Sequence, residues 1–136
     1  MNTTTELSSV LRGAVNQPNP GIVRLVDEIL NLCRKHNFQL DWQAGRCLIR
    51  PPGGDWEEVA DLQIRKSVFR AILARIAVLC NEQSPNSLSH YGGRATLTVG
   101  ENPSAVCQVA LVNSPAEQRL EIRPEFDAQN SQAARA

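Results

Sequence analysis

Long apolar runs are missing from this chain of 136 residues: the longest, Ile76-Ala77-Val78-Leu79-Cys80, has five, against the roughly 18 to 20 that span a bilayer. No helix of the chain is therefore expected to cross a membrane. Met1 to Ser9 has neither a basic residue nor an apolar run, so a secretory signal is not expected and a cytoplasmic protein is. Net charge is missing as well, with Lys plus Arg and Asp plus Glu at 14 each. That balance removes the generic electrostatic attraction to nucleic acid or anionic membranes. Lysine is scarce: Lys35 and Lys66 stand against twelve arginines. A phosphate-binding loop needs glycines followed directly by Lys and Ser or Thr, whereas Lys66-Ser67 follows Leu62-Gln63-Ile64-Arg65. Cys33, Cys47, Cys80 and Cys107 form no C-x-x-C pair and are read as buried reduced thiols. No metal and no cofactor is expected.

What is present is enough for one core. Hydrophobic residues make up 42% of the chain and charged residues 21%, a composition that folds into one domain at this length. Residues 1–19 are a polar N-terminal segment in which Thr3 and Glu6 have capping-box spacing for a short helix. Residues 20–124 form the domain, and 125–136 read as a flexible tail.

Within the domain, Ile22, Leu25, Val26, Ile29 and Cys33 recur at helical spacing through His36. The period then changes to two over Phe38 and Leu40, and again over Arg46 to Arg50, where Arg46, Leu48 and Arg50 share one face and Cys47 and Ile49 the other. A short third strand is expected within Trp56 to Leu62. Val68, Phe69, Ile72, Leu73, Ile76 and Cys80 give the clearest helical pattern, with Arg65, Arg70 and Arg75 around its flank. Ala95, Leu97 and Val99 alternate with polar residues, Val106 to Val112 is apolar on both faces, and Leu120 and Ile122 point inward from Gln118 to Arg123. The expected fold class is α+β: helix, two or three strands, helix, and a three-stranded antiparallel meander, with helices packed on sheet.

This order, with Val23-Arg24-Leu25-Val26-Asp27-Glu28-Ile29-Leu30, Lys66-Ser67-Val68, Leu73-Ala74-Arg75-Ile76-Ala77-Val78-Leu79 and Tyr91-Gly92-Gly93-Arg94, resembles the N-terminal regulatory domain that precedes the catalytic core of bacterial type II secretion and type IV pilus assembly ATPases. The departures are specific. The first strand keeps its alternation but has Asp41 where the family has Glu, and the second keeps Arg46 and Arg50 with Leu48 between them. The family's core would begin after Arg123, and residues 124–136 carry none of its motifs. The resemblance implies a stand-alone, degenerate relative without an ATPase core. In the family such arginines help complete a nucleotide site on the neighbouring core.

Candidate partner or phosphate contacts are therefore Arg46, Arg50 and Arg94, since a guanidinium fork on a fixed strand suits carboxylate or phosphate. Candidate interface residues are Arg65, Arg70, Arg75, Trp42 and Trp56, Trp being a frequent interface anchor, although burial at the core margin is the default for both tryptophans. His36 and His90 have no Cys or acid at triad or metal spacing, and Asp55, Glu57 and Glu58 read as a solvated turn. The expectation is a non-enzymatic accessory module with a protein partner, such as a secretion or pilus ATPase or an associated component, and with neither nucleic-acid binding nor membrane insertion. The alternative is a small-ligand or nucleotide-binding regulatory domain on Arg46, Arg50 and Arg94, and a third reading is an export chaperone.

Overall fold

Helix α1 (Ile22–His36) buries one broad stripe, Leu25, Val26, Ile29, Leu30, Leu32 and Cys33. Its last turn carries Arg34, Lys35 and His36; Arg34 and Lys35 are cations at the negative end of the helix dipole. Asn37 stops it in a left-handed conformation, φ 52°, which Asn tolerates better than most residues. Helix α2 (Lys66–Gln83) buries Phe69, Ile72, Leu73, Ile76 and Cys80. In its last turn, Asn81 pins the polar connector that follows: its Oδ1 accepts from the Leu88 N–H at 2.9 Å and from Ser87 Oγ at 3.1 Å. Leu88 is thereby held in the core.

The computed structural model describes Ser9, Gly13 and residues 21–43, 46–59, 64–89, 91–100 and 104–124. The N-terminal helix expected within 1–19, the turn at Ala44 and Gly45, and the tail 125–136 lie outside the described residues. Strands β1 (Gln39–Gln43), β2 (Arg46–Arg50) and β3 (Glu57–Glu58) follow α1, and β4 (Gly92–Val99), β5 (Ala105–Asn113) and β6 (Gln118–Pro124) follow α2. The expected third strand covers only two described residues. Val59, just beyond it, is buried and donates its N–H to the Cys47 carbonyl at 2.8 Å.

The three C-terminal strands pair in succession and antiparallel, β4 with β5 and β5 with β6, but not as a sheet of their own. They form half of one six-stranded antiparallel sheet of order β3-β2-β1-β6-β5-β4, closed in the middle by β1 against β6. Register explains the merger: Leu40 opposes Ile122 and Trp42 opposes Leu120, so the apolar faces of two hairpin systems become continuous. Each half runs helix then three strands, a repeat of element order with no counterpart in the sequence.

Both helices lie on one face of the sheet, because the buried residues of all the long strands share that face. Leu40, Trp42, Cys47, Ile49, Leu97, Cys107, Val109, Leu120 and Ile122 form one cluster with the buried stripes of α1 and α2. Trp42 and Phe69 meet with ring centroids 5.0 Å apart. Two layers enclose this core, and nothing among the described residues covers the other side of the sheet.

Candidate functional site

Alternation along each strand fixes what the uncovered face carries. The register pairs Glu58 with Leu48, Leu48 with Asp41, Asp41 with Glu121, Glu121 with Ala110, and Ala110 with Arg94. This row crosses all six strands, and its neighbours two residues along add Arg46, Arg50, Arg119 and Arg123 to the same face. Five arginines and three carboxylates therefore share the outer side.

Most of these charges are engaged. Arg119 grips Asp41 with two parallel bonds, Nε to Oδ1 at 3.3 Å and Nη2 to Oδ2 at 3.0 Å, and its Nη2 also reaches Glu121 Oε1 at 2.6 Å. The hydrogen bond to Asp41, aided by both carboxylate charges, raises the Arg119 pKa further above its already high value. Arg46 faces Glu58 at 3.5 Å. Arg50 donates from Nε to the Gly54 carbonyl at 3.1 Å, which ties it to the turn after β2. Arg94 and Arg123 are exposed and make no ion pair or side-chain hydrogen bond among the described residues.

These two arginines stand on opposite rims of a cleft of about 340 Å³ whose floor is β5, where Ala110 leaves room, and whose wall includes Glu121. A second hollow of about 300 Å³ continues it toward Tyr91, Val112 and Arg119, sharing Arg94, Ala110 and Glu121. Together they form a trough along β5. The apolar pattern on both faces of that strand is thus not the mark of a second covering layer: Val106, Ala110 and Val112 are half-buried on the open side.

The structure brings Arg46, Arg50 and Arg94 onto one face but not together. Four strand spacings separate β2 from β4, about 19 Å at the usual inter-strand distance. Gly92 and Gly93, just before Arg94, open β4 with φ of 124° and 141°, and Gly92 exchanges two backbone bonds with Ser89. A Cβ on Gly92 would sit 2.1 Å from the Leu111 carbonyl oxygen.

On the helix flank, Arg65 is exposed and its carbonyl accepts from the Phe69 N–H at 2.9 Å. Arg70 is structural: Nε donates to Asn113 Oδ1 at 3.0 Å, and Asn113 Nδ2 donates back to the Arg70 carbonyl at 3.3 Å, stapling α2 to β5. Arg75 is half-buried, its Nε enclosed without a partner among the described residues. Trp42 is wholly buried and belongs to the core rather than to a contact patch, whereas Trp56 is 41% exposed. The cysteines line no cleft described here and are buried, and no group of His, Cys, Asp or Glu suited to a metal ion occurs among the described residues.

Arg119, Arg123, Glu121 and Asp41 are the site residues that sequence reasoning passed over. The signal for three of them was available: with Leu120 and Ile122 inward, Arg119, Glu121 and Arg123 must face outward. Their partnership with Asp41 depends on β1 lying beside β6, which no local pattern encodes. No helix among the described residues is long and apolar enough to cross a membrane. A scan against protein-family models finds no match to this chain, and a search of curated proteins finds no relative.

Proposed function

We propose that this chain is a non-enzymatic protein-interaction module, related to the regulatory domain of secretion and pilus ATPases, which docks on a component of that machinery through the outer face of its sheet. The observation that carries this reading is the one-sided cover of the sheet. Both helices pack on the inner face, while the outer one presents a half-buried apolar floor, Val106, Ala110 and Val112, among fixed charges. Apolar floor with a charged rim is the make-up of a protein-binding surface. The order of helices and strands is also the order on which the family resemblance rests.

The nucleotide-binding alternative has less in its favour. Arg46 and Arg50 serve Glu58 and the Gly54 carbonyl, and the roughly 19 Å between their strand and that of Arg94 is too wide for one phosphate group.

The test is capture from lysate of the source organism on the tagged protein, with proteins identified by mass spectrometry. Parallel captures use Ala110→Arg on the outer face, which fills the apolar floor, and Arg65→Glu on the helix flank. The reading expects a secretion or pilus component retained by wild type and by Arg65→Glu and lost by the outer-face variant. Loss on Arg65→Glu alone would move the docking surface to the helices, and ATP hydrolysis by the pure protein would end the non-enzymatic reading.

A further inference from the structure

The trough over β5 has a charge arrangement that selects among occupants. Arg119 already neutralises part of the Asp41 and Glu121 pair, so the cations left over are Arg94 on one rim and Arg123 on the other, both lining the same cleft. With Arg123 on the same strand the signs on the β6 side balance, and Glu121 lines the cleft together with Arg94 and Arg123. A phosphodiester chain, charged at every step, would set a phosphate against that carboxylate. A polypeptide can place carboxylates at the two arginines and leave the rest neutral.

Shape agrees with charge. The trough follows β5 from Gln108 to Val112, which at about 3.4 Å per residue is long enough for four or five residues of extended chain. Its rims, β4 and β6, lie two strand spacings apart, about 10 Å, which leaves room for one extended chain lying over β5. Small and branched side chains make the floor, so an extended segment with alternating apolar residues can rest on Ala110 and Val112.

We infer that the trough binds an extended acidic segment of a partner protein, with apolar side chains on Ala110 and Val112 and carboxylates on Arg94 and Arg123. This rests on the outer-face docking reading and names the chemistry of its partner.

The test is fluorescence anisotropy of a labelled (Glu-Val)4 peptide titrated with the whole protein, with (Lys-Val)4 and an eight-nucleotide oligothymidylate as comparisons. Saturable binding of (Glu-Val)4, weakened about tenfold or more by Arg94→Glu/Arg123→Glu, supports the inference. So does the charge swap, in which that variant gains binding of (Lys-Val)4. Both substitutions are exposed, and an unchanged melting temperature excludes misfolding as the cause. Absence of saturation, equal affinity in the variant, or tighter binding of the oligonucleotide would overturn it. The outer-face reading is tested apart from it by Ala110→Arg, which fills the floor. Lysate capture lost on Ala110→Arg but kept on Arg94→Glu/Arg123→Glu leaves the face as the docking surface and refutes the acidic segment, and capture kept on both refutes the face.

Discussion

Asp41 and Glu121 stand directly opposite each other across β1 and β6, two acids in a position where like charges weaken a sheet. One guanidinium, that of Arg119, holds both. The seam where the two halves of the sheet join is thus bound on the inside by Leu40, Trp42, Leu120 and Ile122 and on the outside by this clamp. Arg119→Ala is expected to lower stability by about 1 to 2 kcal/mol, and adding Asp41→Asn should recover part of it, because the repulsion goes with the charge. Urea denaturation of the two single variants and the double variant measures the coupling.

A second device guards the free edge of β4. Gln83 meets Thr98 with both ends of its amide: Nε2 donates to the Thr98 carbonyl at 2.9 Å and Oε1 accepts from the Thr98 N–H at 2.8 Å. Ser89 exchanges two backbone bonds with Gly92 at the other end. Unpaired strand edges recruit other chains, and these caps leave only the middle of β4 open. Gln83→Ala should cost about 1 kcal/mol and raise self-association, read as concentration-dependent mass in sedimentation. A mass unchanged from wild type would show that the edge needs no cap.

Much of the fold can be read from local pattern, because the residues that set each element are neighbours in the chain. The stripe of α1, the alternation of Arg46 to Arg50 and the inward Leu120 and Ile122 follow from spacing alone. The pairing of β1 with β6 does not, because it depends on how two apolar faces merge, and with it went the Asp41–Arg119–Glu121 clamp. Arg70 and Trp42 show what residue type leaves out. It names neither side chain's partner, and Asn113 claims one and Phe69 the other, 43 and 27 positions away.

Burial sets the behaviour of the cysteines. Loss of hydration pushes the Cys47 thiol up to about 12, with the Asp41 and Glu58 charges adding to it, and the Cys80 thiol up to about 11; burial also raises Cys33 well above the ordinary range. The unfolded thiols ionise near 8.5, so above that pH the folded state holds protons the unfolded state has released, and stability falls as pH rises toward the folded values. The slope is at most about 1.4 kcal/mol per pH unit for each such thiol, and Cys47→Ala should make it shallower. Native protein at pH 8 should react with Ellman's reagent at none of its four thiols, and at all four in urea.

Close contact with β5 demands glycine at position 92. Gly92→Ala would drive a Cβ into the Leu111 carbonyl at a backbone angle that side chains avoid, and a loss of about 2 kcal/mol or more is expected. Gly21→Ala, where a Cβ meets nothing within 4 Å, should cost no more than about 1 kcal/mol, the loss of a favoured N-cap residue. Thermal melts of the two variants side by side separate close approach from a general need for glycine.

The arginines themselves supply the most direct test of outer-face docking, since they are spread over both sides of the molecule. Phenylglyoxal modification, quantified by mass spectrometry, is compared for the free protein and for its complex with the captured partner. Outer-face docking predicts that Arg94 and Arg123 become protected in the complex while Arg24 and Arg65 react as before. Protection of Arg24 or Arg65 with Arg94 and Arg123 still reactive would contradict it.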